Sequence, residues 1–138
     1  MLLRKITPVA FGVAFALGSV AHAVEGESAP YGEEGNHAYV AQQGGENQAN
    51  VNQFGSGNTN YTNQSGQENE SYSYQEGFAN NSSVNQQGMN NLSSTYQIGD
   101  GNSQHVDQQG EYNGVGLYQE GEGNQQFTSQ QGSANQVG

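Results

Sequence analysis

From residue 36 onward, small and apolar side chains fall on alternate positions, and the pattern returns every eleven residues. Ala38 and Val40 begin it and Ala49 and Val51 repeat it. Later frames place Val84, Thr95, Val106, Leu117 and Thr128 at the second of these positions, with Ser82, Ser93, Gln104, Val115 and Gln126 at the first. Alternation with period two predicts a strand with one buried face. Glutamine closes every run, at Gln42, Gln53, Gln64, Gln75, Gln86, Gln97, Gln108, Gln119 and Gln130. Asparagine opens the runs at Asn36, Asn47, Asn58, Asn69, Asn80, Asn91, Asn102, Asn113 and Asn124, and Asn135 opens a last, shorter one. Both amides lie an even number of places from the small residues, so they share the inward face. No charged residue occurs on that face in any frame.

Two residues after each glutamine stands a glycine: Gly44, Gly55, Gly66, Gly77, Gly88, Gly99, Gly110, Gly121 and Gly132. The four residues between a glutamine and the next asparagine read as a turn, with glycine where positive φ is needed. Seven carboxylates fall there, Glu46, Glu68, Glu76, Asp100, Glu111, Glu120 and Glu122, while Glu70 and Asp107 take outward strand positions. A helical reading fails, since a glycine in every frame would cost roughly 1 kcal/mol each and the apolar seam of a coiled coil is missing.

So strict a period implies one small unit stacked on copies of itself. Two strand-turn units make a coil of 22 residues, and about five coils span 36–138. The expected fold is an all-β solenoid, cross-β when polymerised, with strands about 4.8 Å apart along the axis. Inward glutamines and asparagines would form hydrogen-bonded ladders, each completed only by the neighbouring coil. The first and last full strands carry the pattern of the middle, so both ends are expected to be uncapped and self-complementary.

Residues 1–23 have the pattern of an export signal: Arg4 and Lys5, an apolar run from Val9 to Val20, and Ala21-His22-Ala23 as the cleavage site. That run is shorter than the roughly 20 residues needed to span a bilayer, so no membrane insertion is expected. Residues 24–35 form an acidic segment. Arg4 and Lys5 are the only basic side chains beside 13 carboxylates, which argues against direct contact with nucleic acid. Cysteine is absent. Composition alone, polar and 31% hydrophobic, reads as disorder, yet disorder does not demand three letters in one period.

The repeat resembles the curlin unit, S/N-x5-Q-x-G-x2-N-x-A-x3-Q, which Gln42, Gly44, Asn47, Ala49 and Gln53 match in full; later frames keep Gln, Gly and Asn and replace the alanine. Curlins build curli, the amyloid fibres on the surface of some Gram-negative bacteria. The resemblance implies a secreted structural subunit of an extracellular fibre, serving adhesion and the biofilm matrix. It also implies export through a dedicated outer-membrane pore and growth from a nucleator subunit. Val24 to Gly35 holds the place of the family's pore-targeting segment but is acidic rather than Gly/Asn-rich. Near-identical units without basic residues look most like the major subunit, and the shortened last strand fits the nucleator.

Tyr74, Tyr96 and Tyr118 lie 22 apart and are expected as an outward aromatic ladder on one sheet. It serves either cross-strand stabilisation or lateral contact between fibres. His37, His105 and Asp107 supply letters of a triad but sit at outward strand positions, so neither catalysis nor a cofactor or metal is expected. A secreted monomeric solenoid that binds a flat surface or a polysaccharide is the competing class.

Overall fold

A computed structural model describes residues 20–25 and 35–138 of the chain. Its strands are β1 (Val20–Glu25), β2 (His37–Gly45), β3 (Gln48–Ser56), β4 (Thr59–Gln67), β5 (Glu70–Phe78), β6 (Asn81–Met89), β7 (Leu92–Asp100), β8 (Ser103–Glu111), β9 (Gly114–Glu122), β10 (Gln125–Ser133) and β11 (Gln136–Val137). They form two sheets, β1-β3-β5-β7-β9-β11 and β10-β8-β6-β4-β2, parallel throughout. From β2 to β8 every strand residue pairs with the one 22 places later, as Gln42 with Gln64 and Gln53 with Gln75. The fold is therefore an all-β solenoid of about five coils, the two sheets facing each other across the interior.

Alternation appears directly in the burial: along β6, Ser82, Val84 and Gln86 are buried while Asn81 and Gln87 are exposed. Two aliphatic clusters occupy the interior, Ala38, Val40, Ala49 and Val51 in the first coil, and Val84, Val106, Val115 and Leu117 further along. Between them the inward positions are Asn60, Thr62, Ser71 and Ser73, all buried.

Three expectations change. The turn is shorter than four residues: pairing continues through Gly44 and Gly45, and only Glu46 and Asn47 separate β2 from β3. The corner is made by two positive-φ residues, the glycine at φ 107 for Gly44 and the residue two places on, Glu46 at φ 58. The end of the solenoid near the N-terminus is not bare either. β1 lies along β3, with Val20 opposite Gln48 and Glu25 opposite Gln53, so β3 is covered and the edge strands there, among the described residues, are β1 and β2. Backbone N–H and C=O groups alone suffice for such a pairing, and β1 needs none of the repeat's letters. Finally, the inward face of β10 is open, with Gln126 exposed and Thr128 half-buried, because only Gln136 and Val137 of β11 continue the opposite sheet beyond β9.

Of the N-terminal segments, residues 1–19 and 26–34 lie outside the described residues.

Candidate functional site

The conserved letters of the repeat form four columns along the axis. In the five-stranded sheet Gln42 Nε2 donates to Gln64 Oε1 at 2.7 Å, Gln64 to Gln86 at 2.8 Å, Gln86 to Gln108 at 2.9 Å and Gln108 to Gln130 at 2.9 Å. In the other sheet Gln53 donates to Gln75 and Gln75 to Gln97, both at 2.8 Å, and Gln97 to Gln119 at 3.1 Å. These side chains are buried, so each amide would be costly without its neighbour.

The asparagines form two columns of their own, linking Asn36, Asn58, Asn80, Asn102 and Asn124, and Asn47, Asn69, Asn91, Asn113 and Asn135. In each link the later Asn donates both its Nδ2 and its backbone N–H to the Oδ1 of the earlier one, as Asn69 does to Asn47 at 3.0 and 3.1 Å. The same Nδ2 reaches a glycine carbonyl at the corner one step up: Asn47 to Gly66 and Asn58 to Gly77, each at 3.0 Å.

That bond explains the spacing of Gln, Gly and Asn. A Cβ built on Gly44, Gly55, Gly66, Gly77, Gly88, Gly99 or Gly110 would overlap the carbonyl oxygen of the glycine in the next coil. The missing side chain lets the corners nest, and asparagine satisfies the carbonyl thereby buried. Gly121 and Gly132 adopt the same positive φ with only an asparagine amide near the Cβ position.

Outside, the aromatic side chains stack along the axis. On the six-stranded sheet Phe54 meets Tyr74 at 5.6 Å, and Tyr74 meets Tyr96 at 5.7 Å with rings 29° apart. Tyr118 is the backbone partner of Tyr96 in the next coil, and its hydroxyl donates to Glu120 at 3.0 Å. Tyr74 likewise donates to Glu76 at 2.7 Å, and that bond, with partial burial, pushes its phenol up to about 12. Burial, then the contact with Tyr72, raises Tyr96. A second pair on the opposite sheet, Tyr39 and Tyr61, stacks at 4.8 Å with rings 6° apart. Their spacing of 22 residues is the signal that marks it in the sequence.

The carboxylates Glu46, Glu68, Glu70, Glu76, Asp100, Glu111, Glu120 and Glu122 are exposed, and Asp107 is half-buried, accepting from Asn85 Nδ2 at 2.9 Å. His37 and His105 are half-buried rather than exposed, His105 stacking on Phe127 at 5.1 Å. Among the described residues no three of His, Cys, Asp and Glu converge on one point. No helix among them is long and apolar enough to cross a membrane. Comparison with family models, curated proteins and solved structures gives no match.

Proposed function

We propose that this chain is a structural subunit of an extracellular fibre of the curli type, secreted and assembled from copies stacked end to end. The observation that carries the reading is the register. β2 and β10, the two edges of one sheet, bear the same letters at the same places: Asn36, Gln42 and Gly44 against Asn124, Gln130 and Gly132. A column that bonds identically at every step inside the chain has no physical reason to stop at the boundary between two chains. The curlin-like repeat and the export-signal pattern support the same reading.

On this reading, removal of residues through Ala23 takes four of the six residues of β1 and uncovers the edge of β3. The nucleator subunit and the secretion pore are the partners implied. The competing reading, a solenoid whose flat face binds a polysaccharide, is disfavoured by the ring geometry. Tyr39 and Tyr61 stack face to face along the axis, so their ring faces meet each other instead of lying open for a sugar.

The test is a time course from dilute, denatured chain lacking residues 1–23. Fibres with a meridional reflection at about 4.8 Å, appearing after a lag that added fibre fragments abolish, are expected. A chain that folds and sediments as a compact monomer at high concentration refutes the proposal.

A further inference from the structure

Asn113 is the one column asparagine that a glycine follows, and Asn113-Gly114 is the only Asn-Gly pair in the sequence. Each of the other column asparagines precedes a residue with a side chain, Asn91 before Leu92 and Asn102 before Ser103 among them. In a free chain an Asn-Gly pair is chemically unstable. The backbone nitrogen of the glycine attacks the asparagine Cγ, and a five-membered imide forms as the Cγ–Nδ2 bond breaks and ammonia leaves. Water then opens the imide at one carbonyl or the other, giving aspartate or isoaspartate. A side chain on the following residue hinders the approach, whereas glycine, without a Cβ and with the widest choice of φ and ψ, does not.

Folding occupies every atom that this reaction uses. Gly114 N, the nucleophile, donates to Asn135 O at 2.8 Å. Asn113 Nδ2, the leaving group, donates to Asn91 Oδ1 at 3.0 Å and to Gly132 O at 2.9 Å. The backbone N–H of Asn113 reaches the same Asn91 Oδ1 at 3.2 Å, which holds the side chain beside its own backbone nitrogen. Asn113 Oδ1 accepts the backbone N–H and Nδ2 of Asn135 at 3.1 and 2.9 Å. The residue is buried, so water is excluded as well.

We propose that Asn113-Gly114 is a site of spontaneous deamidation, open in the unfolded chain and closed by the fold. The pair sets a limit on how long the chain can wait unfolded and still build its last coils. Aspartate at 113 would turn a carboxylate oxygen toward Gly132 O and Asn91 Oδ1, where the amide had donated, leaving buried acceptors against one another. Isoaspartate inserts its Cβ into the main chain directly ahead of β9. The extra atom puts Val115, Leu117 and Gln119 out of step with the inward face they occupy. None of this depends on how copies of the chain assemble.

The full chain is incubated at one mildly alkaline pH, where the attacking nitrogen loses its proton more readily, both in concentrated urea and under native conditions. Conversion is followed at each asparagine by peptide mass spectrometry and by isoaspartyl methyltransferase labelling. In urea, Asn113 converts about tenfold or more faster than Asn102. Under native conditions its rate falls by about a hundredfold or more, since the reaction waits on local opening. Chain held in urea and then returned to native conditions recovers β circular dichroism only in the fraction still carrying Asn113.

Gly114→Leu is the discriminating variant. The residue paired with Gly114 in register is Leu92, and a Cβ at 114 meets only Gln136 Cγ, at 3.8 Å, so the fold accepts the change. In urea it brings Asn113 down to the rate of Asn102, and the chain keeps its capacity to refold through the same wait. Gly114→Ala, adding only a Cβ, slows the reaction in the same sense. Conversion of Asn113 in urea no faster than Asn102, or under native conditions as fast as in urea, overturns the proposal. So does converted chain that regains its β structure as fully as fresh chain.

Discussion

The first and second coils share one backbone and almost nothing of their filling. In the first, Ala38, Val40, Ala49 and Val51 make a small aliphatic cluster. In the second, the same places hold Asn60, Thr62, Ser71 and Ser73, equally buried and with no aliphatic side chain among them. The register passes from one to the other without a slip. What is constant across them is the frame: Gln42, Gln53, Gln64 and Gln75, their asparagines and their corner glycines. Hydrophobic burial of a Val contributes about 1.5 to 3 kcal/mol where present, so the first coil gains stability that the second lacks. The second nevertheless keeps its geometry, and the specificity of the fold thus resides in directional bonds and corner nesting, with the filler setting only how stable each coil is.

The comparison breaks most readily at the corners. Gly66→Ala in the second coil places a Cβ on the carbonyl of Gly88 and forces alanine to φ +122. The expected loss is about 3 kcal/mol or more, and Gly44→Ala in the first coil should cost the same despite its better filling. Urea unfolding followed by circular dichroism checks both. A much milder effect in the aliphatic coil would mean that filling, not the frame, dominates.

Next in size is the asparagine column. Asn69→Ala removes the amide that donates to Asn47 Oδ1 and Gly88 O, and leaves the backbone N–H and Nδ2 of Asn91 without their acceptor. Each orphaned buried group costs about 1 to 3 kcal/mol, so a loss of roughly 2 to 4 kcal/mol is expected. Asn47→Ala, one coil lower, is the matched measurement, and near-equal losses would place the frame above the filling.

The frame was legible because its three letters never vary and their even spacing assigns them to one face. Less visible was the second bend of each corner. Glu46, Glu68, Ala79, Asn90, Tyr112 and Ala134 all adopt positive φ, although only Gly57, Gly101 and Gly123 advertise it. Closure of the corner imposes that conformation on whatever residue is there, so side-chain identity carries little of the signal. β1 was hidden for a related reason: four of its six residues read as the end of an export signal, and parallel pairing with β3 draws only on backbone groups. The Tyr39 and Tyr61 stack was readable from the same spacing that marks Tyr74 and Tyr96. Gln126 fits the inward pattern yet is exposed, since burial of a strand's inner face depends on a facing strand that its own sequence cannot specify.

The smallest effect has the opposite sign and bears on the filling alone. Ser71 Oγ and Ser93 Oγ are buried and have no hydrogen-bond partner within the protein. Ser71 occupies the place that Ala49 holds one coil below, and the two are paired in register. A buried hydroxyl without a partner is destabilising by about 1 to 3 kcal/mol relative to an apolar group of the same shape. Ser71→Ala should therefore raise stability by about 1 kcal/mol, and the reciprocal Ala49→Ser should lower it by a similar amount, each read as a shift in urea midpoint at constant slope. Stabilisation by Ser71→Ala places the polarity of the second coil among features kept for something other than folded stability, such as solubility of the chain before it folds. Destabilisation would instead mean that the hydroxyl is satisfied by water held between the sheets, and that the second coil is wet where the first is dry.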